Sequence, residues 1–389
     1  MSNRPLALSL LAGLLVLSAC HTRQPNEPLG DSPAATHYSS LLQMQELDHG
    51  MTLCRIQNPW QTDRVVMQYL LVSEADSARL SEDKLDHLEA QYGGVQTLYT
   101  PLRQQTLTSA CYAYLYDQLE AVDCIGAMCD TEYVLDSAVC ADLRRGRIAD
   151  AGSSMSPNAE VVLCSGSDAI WVTPYETGSQ SVIAASLPHV PIIYCADYLE
   201  NAPLGRAEWM RFFGRLVDKG AQADSLFHVI EHNYLTMAQD TVAGEHLSLL
   251  CELPYGATWY VPGGRSTMSW LYQDAGFHYL WQEDTHSGSL GLSQEAVYER
   301  GADADVWLIK YYAPQGDWQL ADVLSLNKMY ADLGPCRKGR VYGCNTARSD
   351  YYEVTPFRPD WMLAEMRHMH QGEDEKLRFF KRLSTTIPQ

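Results

Sequence analysis

Residues 160–169 read Glu-Val-Val-Leu-Cys-Ser-Gly-Ser-Asp-Ala, and residues 295–304 read Glu-Ala-Val-Tyr-Glu-Arg-Gly-Ala-Asp-Ala. The two stretches share the pattern E-x-V-x-x-x-G-[SA]-D-A, and an apolar run that contains a tryptophan follows each of them. Each copy predicts a short helix, a turn and a buried strand. A match of this length also arises by chance between unrelated αβ units. Taken as a repeat, it predicts two similar α/β lobes.

Around each copy the chain alternates between short β-rich runs and helical stretches, which indicates a mainly parallel sheet. Strands of the first half are predicted at 105–108, 122–127, 169–173 and 190–195. Residues 51–72 predict a hairpin, and residues 203–235 form the longest helical stretch. Gly220 interrupts that stretch, and its second part is predicted to join the lobes. Because ligands bind beyond the carboxyl ends of parallel strands, a ligand cleft is expected between the lobes.

The N-terminus is typical of an exported lipoprotein. The apolar run 6–17 is shorter than the ~20 residues that span a bilayer, but has the length of a signal-peptide core. It ends in Leu-Ser-Ala-Cys, which resembles the bacterial lipobox and predicts a lipid anchor on Cys20. The alternative is an ordinary secretory signal in which Cys20 is incidental. The polar stretch after Cys20 has too little apolar surface to fold and predicts a flexible tether.

The predicted organisation follows from these segments. It comprises a signal peptide at 1–19, a tether at 20–37, an N-terminal α/β lobe at 38–219, a linker helix at 220–240 and a C-terminal α/β lobe at 241–389. The net charge of −20 argues against binding to nucleic acid, whose backbone would repel the protein. Export makes disulfides possible. The pairs Cys124–Cys129 and Cys336–Cys344 are close enough in sequence to bond, and the sequence leaves open whether either pair does.

The chain resembles the substrate-binding proteins of ABC importers for metal chelates, the group that binds cobalamin and ferric siderophores, and within it a lipoprotein branch of Bacteroidetes. Three stretches carry the resemblance: DYLENAPLGRAEW at 197–209, PYGATWYVPGGRS at 254–266 and GRVYGCNTARSDYYE at 339–353. They run in family order over residues 50–385. The resemblance implies class III periplasmic-binding-protein architecture, with two lobes, one long connecting helix and a ligand between the lobes.

The resemblance also implies docking onto a membrane permease through one acidic residue on each lobe. Glu160 and Glu295, which open the two copies of the repeat, match those positions. The alternative is that each is simply favoured at a helix start by the helix dipole. The family further implies a monomer that delivers its cargo to an ABC permease and ATPase. Residues 21–24 lack the acidic run of surface-exported relatives, which favours a periplasm-facing lipoprotein in the bacterial envelope.

Ligand contacts are predicted in loops that follow strands. The candidates are Ser109, Tyr112, Tyr175, Trp259, Tyr260, Arg265, Trp318, Asn345 and Tyr351. Trp259 and Tyr260 lie in a Gly/Pro-rich stretch, and aromatic faces suit a large, flat ligand. Arg265 either pairs with an anionic chelate or braces its own loop. Ferric siderophore, haem and cobalamin all remain open as the ligand.

The alternatives are an enzyme, a bare-metal transporter and a structural lipoprotein without cargo. The sequence has no G-x-S-x-G, H-E-x-x-H, P-loop or helix-opening G-x-G-x-x-G motif, so neither a catalytic residue nor a cofactor is predicted. An envelope hydrolase of other chemistry remains open. Importers of bare zinc or manganese use histidines and carboxylates from both lobes, and the chain has no His-rich loop. A chelate is therefore favoured over a bare ion.

Overall fold

The structure is a computed structural model that describes residues 35–61, 64–174, 186–240 and 246–384. Cys20 and Tyr175 lie outside these ranges. The described chain is mixed α/β, with four sheets and helices packed between and around them. No helix within the ranges combines the length and the apolar character needed to cross a membrane.

The described chain begins with a four-stranded sheet of order β1-β2-β3-β4. Its strands are β1 Leu42–Glu46, β2 Thr52–Gln57, β3 Val65–Ser73 and β4 Val95–Thr100. The first three pair antiparallel, as the predicted hairpin requires, whereas β3 and β4 pair parallel. A parallel pair needs a crossover, and helices α1 Glu74–Ser77 and α2 Glu82–Tyr92 provide it.

The first lobe is built on a parallel five-stranded sheet of order β7-β6-β5-β8-β9. The strands are β5 Gln105–Leu107, β6 Ile125–Met128, β7 Ala149–Asp150, β8 Ala169–Val172 and β9 Ile192–Tyr194. Helices α3 Ala113–Gln118, α4 Ser137–Arg145 and α5 Ala159–Cys164 lie between them in the chain. All four residues of β8 are buried, as expected of a parallel strand covered on both faces.

Three helices lead from the first lobe to the second: α6 Pro203–Glu208, α7 Met210–Leu216 and α8 Gly220–Gln239. The buried residues of α8 are Ala223, Phe227, Ile230 and Tyr234, whose spacing of three and four forms the predicted stripe. Helix α7 packs closely on α8 because Gly214 has no side chain. A Cβ atom at Gly214 would lie only 2.4 Å from the Cβ atom of Ala223.

The second lobe has a five-stranded sheet of order β13-β10-β15-β16-β17 and a small antiparallel sheet of order β11-β12-β14. The strands are β10 Ser248–Cys251, β11 Pro254–Tyr255, β12 Thr258–Pro262, β13 His278–Tyr279, β14 Ser289–Ser293, β15 Val306–Tyr311, β16 Val341–Asn345 and β17 Lys381–Arg382. The helices are α9 Thr267–Asp274, α10 Gln294–Gly301, α11 Leu320–Leu326, α12 Gly334–Lys338, α13 Tyr351–Val354 and α14 Pro359–Gln371. Within the larger sheet only β17 is antiparallel to its neighbour.

The repeated sequence is also a structural repeat. In each lobe it forms a helix and a strand, β8 or β15, that pairs with the first strand of the lobe's sheet. Asp168 donates its N–H to Gln104 O at 2.8 Å, and its carboxylate accepts the N–H of Arg103 at 2.7 Å. Asp305 donates its N–H to Ser248 O at 2.9 Å, and its carboxylate accepts the N–H of Ser248 at 2.9 Å. Each aspartate therefore holds the beginning of its lobe's first strand.

The chain is already packed at the end of the range predicted as tether. Arg211 donates to the backbone carbonyl of Ala35 at 2.7 Å, and the Thr36 hydroxyl donates to Leu42 O at 2.7 Å. The N–H of His37 donates to the carboxylate of Glu208 at 2.9 Å. The packed body therefore includes residues 35–37.

Candidate functional site

A cavity of about 550 Å³ lies between the lobes, at the carboxyl ends of the strands. Its walls follow β5 and β6 in the first lobe, and β15 and β16 in the second. The lining residues are Ser109, Ala110, Cys111, Asp130, Tyr133, Leu135, Tyr312, Thr346, Ser349, Asp350, Tyr352 and Glu353. Ligands of α/β proteins bind at this edge of a sheet, and the volume suits a drug-sized molecule.

Three tyrosines give the cavity an aromatic wall. Tyr133 and Tyr312 are each 54% exposed, and Tyr352 is 49% exposed. The rings of Tyr133 and Tyr312 meet edge to face with their centroids 6.0 Å apart, so they form a contact between the lobes. Large half-exposed aromatic side chains with a free polar end are typical of binding surfaces.

The charged groups of the cavity are acidic. Asp130, Asp350 and Glu353 line it, and the described part of the lining contains no lysine, arginine or histidine. Asp350 is paired with Arg378 at 2.7 Å, whereas among the described residues the carboxylate of Asp130 accepts only the backbone N–H of Ser154, at 3.0 Å. The field inside the cavity therefore favours a neutral or cationic molecule over an anionic one.

Glu353 belongs to the second lobe but is bonded to the first. Its Oε1 accepts the N–H of Leu135 at 2.6 Å and, more weakly, the N–H of Asp136 at 3.4 Å. Burial raises the pKa of Glu353 to about 7, and repulsion from Asp136 and Asp350 acts in the same direction. The two N–H groups lower this pKa, but by less than burial raises it.

A smaller polar cavity of about 290 Å³ adjoins the first and shares Ser349 and Asp350 with it. Two of its cations already have partners, since Arg378 pairs with Asp350 and Lys381 with Asp317. Arg348 also lines this cavity and forms no ion pair with any described residue. An acidic arm of a ligand would therefore find a positive charge here and not in the main cavity.

The first-lobe predictions have different outcomes. Ser109 lines the main cavity, and its hydroxyl also accepts the N–H of Cys111 at 3.3 Å. Tyr112 was predicted as a ligand contact, but its side chain lies in the core. Its hydroxyl donates to Asp197 at 3.0 Å, and its ring packs 4.9 Å from that of Phe213. Burial therefore removes Tyr112 from the candidate ligand contacts.

The prediction for Trp259 is wrong because its stretch is a strand and not a loop. In β12 the side chains alternate between the two faces, which buries Trp259 completely and leaves Tyr260 half exposed. The indole N–H of Trp259 donates to Cys251 O at 3.1 Å. Tyr260 and Arg265 are exposed but lie outside the cavity lining, and the N–H of Arg265 donates to His286 O at 3.0 Å.

The remaining second-lobe candidates shape the loops around the cavity. Trp318 stacks on Tyr311 with ring centroids 4.3 Å apart. The buried amide of Asn345 donates to Ala313 O at 2.8 Å and orders the loop after β15. Asn345 also lines the smaller cavity. Tyr351 is buried beneath Lys310, whose Nζ lies 5.6 Å from the ring centre.

Glu160 and Glu295 occupy equivalent positions. Each is the second residue of its helix, after the N-caps Asn158 and Ser293, and each is exposed. The repeat thus places one exposed carboxylate at a helix start on each lobe.

Ser109 is the one residue of this lining that was among the predicted ligand contacts; Tyr133, Tyr312, Tyr352 and Glu353 are among those that were not. Tyr352 directly follows the predicted Tyr351, and Tyr312 lies in the same loop after β15 as the predicted Trp318. Which residue of such a loop faces the cavity depends on side-chain direction. Tyr133 follows β6, so the rule that ligand contacts follow strands would have found it.

The described chain has no group of three His, Cys, Asp or Glu side chains that could hold a metal ion. The ten cysteines from Cys54 to Cys344 are all free thiols, so neither of the two pairings left open by the sequence is formed.

No protein-family model matches the chain. It is 29% identical over 249 residues to an uncharacterized lipoprotein of Methanocaldococcus jannaschii, a match that covers 61% of this chain and 57% of that protein. The chain therefore spans a little over half the length of the curated relative that it matches.

Solved structures share the fold. A periplasmic heme binding protein from Pseudomonas aeruginosa superposes with a TM-score of 0.56 at 17% identity, over 74% of this chain and 100% of that one. A protein of an Fe³⁺-hydroxamate transport system from Saccharomonospora viridis superposes with a TM-score of 0.51 at 17% identity, over 70% and 94%. The predicted fold class is confirmed: the chain has the two-lobed α/β fold of periplasmic solute-binding proteins.

Proposed function

We propose that this protein is the substrate-binding lipoprotein of an ABC importer, and that it captures a metal chelate between its lobes. The observation that carries the proposal is the inter-lobe cavity, with three half-exposed tyrosines at the carboxyl ends of two sheets. The fold shared with solute-binding proteins for heme and for Fe³⁺-hydroxamate supports it. The role proposed is binding and delivery, without catalysis.

The cavity narrows the chemistry of the ligand. Tyrosine faces pack against flat or apolar surfaces, and their hydroxyls hydrogen-bond to polar edges. The carboxylates of Asp130 and Asp350 oppose an anionic group in the main cavity, and Arg265 is not part of the lining. Ferric siderophore, haem and cobalamin remain the candidate classes. A neutral or cationic complex fits best, and any acidic arm would reach towards Arg348.

Delivery requires a membrane partner. We propose that Glu160 and Glu295 dock on basic residues of the permease, and that a lipid on Cys20 keeps the protein at the membrane. The two carboxylates are exposed at matching positions of the two lobes, as a partner with two matching basic sites would require. Tethering raises the effective concentration of the protein near its partner.

Tyr312→Ala should weaken binding of the chelate about tenfold, because a buried aromatic contact contributes about 1–2 kcal/mol. The measurement is a tryptophan-fluorescence titration with haem, cobalamin and a ferric siderophore, repeated with the variant. Tyr255→Ala is the matched control, since Tyr255 is 83% exposed and lies outside the lining. Failure of all three chelates to bind the unmodified protein would contradict the proposed function.

The described residues offer no observation in favour of the bare-metal alternative, because no metal-binding group is present among them. Nor do they single out a catalytic arrangement that would favour an envelope hydrolase.

A further inference from the structure

The second lobe contacts one short segment of the first lobe at two points. The segment runs from Thr131 to Asp136, after β6 and into the start of α4. At one end the ring of Tyr312 contacts that of Tyr133. At the other end Glu353 accepts the N–H groups of Leu135 and Asp136. The segment forms part of the cavity wall, so it must move if the two lobes part.

At the second of these contacts the carboxyl group of Glu353 is buried, and no described cation forms an ion pair with it. Glu353 is only 3% exposed and forms no ion pair with any residue that the structure describes. Both hydrogen bonds from the segment go to the same oxygen, Oε1, and the described residues give Oε2 no hydrogen-bond partner. A neutral carboxylic acid fits this arrangement, with Oε1 as the carbonyl acceptor and Oε2 free to carry the proton.

The groups that face Glu353 add no positive charge. Helix α4 presents Asp136 at its N-cap and the thiol of Cys140, and Asp350 precedes α13. The turn after β5 presents the thiol of Cys111. Burial raises the pKa of both thiols, so both are neutral near pH 7. Asp136 and Asp350 therefore oppose a charged Glu353, and Arg378 is already paired with Asp350.

We propose that Glu353 is a proton-coupled latch: the neutral carboxyl holds the segment 131–136 more firmly than the charged carboxylate does, so that closing of the lobes is linked to proton uptake from solvent. The latch depends only on the contacts of Glu353 with the segment 131–136. Its effect on ligand capture rests on the proposed function, because the same segment forms the cavity wall.

The sign of the pH dependence follows from the two states. Burial raises the pKa of Glu353 to about 7 in the closed state, from an ordinary value of 4.5. The state with the higher pKa is favoured by acid, so closing becomes more favourable as the pH falls through 7. Between pH 8 and pH 6 the closed state should gain roughly tenfold over the open state.

Hydrogen exchange of the amides of Leu135 and Asp136 tests the latch without any ligand. After correction for the intrinsic exchange rate, protection of these amides in the unmodified protein should rise about tenfold from pH 8 to pH 6. Glu353→Gln keeps a carbonyl acceptor but cannot ionise, so its protection should be high and independent of pH. Glu132→Gln removes an exposed carboxylate from the same segment and should keep the full pH dependence.

Protection that is flat between pH 8 and pH 6 in the unmodified protein would overturn the proposal. So would an unchanged pH dependence in Glu353→Gln. If that variant does not fold, a carbon-13 NMR titration of the Glu353 carboxyl in the unmodified protein decides instead: an apparent pKa near 4.5 contradicts the latch. A failure of every chelate to bind would count against the proposed function and leave these results unaffected.

Discussion

Replacing Glu208 by alanine should lower the free energy of unfolding by about 3–5 kcal/mol, the usual loss when one partner leaves a buried charged network. Glu208 has no exposed surface, and its carboxylate accepts the N–H groups of His37, Tyr38 and Ser39, each at 2.9 Å. It also pairs with buried Arg211 at 3.3 Å. Alanine would leave three backbone donors without their acceptor and remove one partner of a buried cation.

Urea denaturation followed by tryptophan fluorescence measures this loss. Glu299→Ala is the control, since Glu299 is an exposed residue of α10 and its loss should cost less than about 0.5 kcal/mol. Glu208→Gln should lie between the two, because one side-chain oxygen still accepts. If Glu208→Ala were as stable as the control, the packing of residues 35–39 on the inter-lobe helices would be wrong.

Reversing both docking charges, Glu160→Lys with Glu295→Lys, should reduce uptake of the chelate by the reconstituted importer at least a hundredfold. Each reversal replaces an attraction by a repulsion against a basic partner, at a cost of several kcal/mol. Affinity for the ligand should not change, because neither residue lines the cavity. Uptake and ligand affinity are measured on the same preparations, so that docking and capture are separated.

The matched control is Glu82→Lys with Glu299→Lys. It makes the same change in net charge at two exposed helical residues, and Glu82 also lies in a first helical turn. The helix dipole at such a position is worth about 0.3–1 kcal/mol, so both double variants should remain folded. Equal uptake by the two double variants would contradict the docking role, and loss of ligand affinity in the first would place the glutamates in the ligand site.

Local pattern was sufficient to predict the parts of the fold that repeat. The two copies of the repeat give the two lobes because each contains an aspartate, Asp168 or Asp305, that bonds the backbone at the start of the first strand. The stripe of α8 was predictable because helix periodicity is a property of neighbouring residues. Pairing between distant strands was not predictable in this way: the sequence predicted the hairpin that β2 and β3 form, but not the parallel pairing of β3 with β4.

The candidate site was harder to predict than the fold. Pro254, Pro262 and nearby glycines made the stretch around Trp259 look like a loop, although it pairs as β12 and buries the indole. Periodicity of two would have placed Trp259 and Tyr260 on opposite faces. The role of Glu353 depends on contact with residues more than 200 positions earlier, which the sequence pattern does not encode.

Capture of a metal chelate between the lobes can be read from the cargo that the protein carries out of its own cells. Absorption spectroscopy, metal analysis and mass spectrometry of the purified protein should reveal about one metal chelate per chain. The double variant Tyr133→Ala with Tyr312→Ala should be recovered with little or none. Cargo that contains no metal, or equal occupancy in the double variant, would contradict the account.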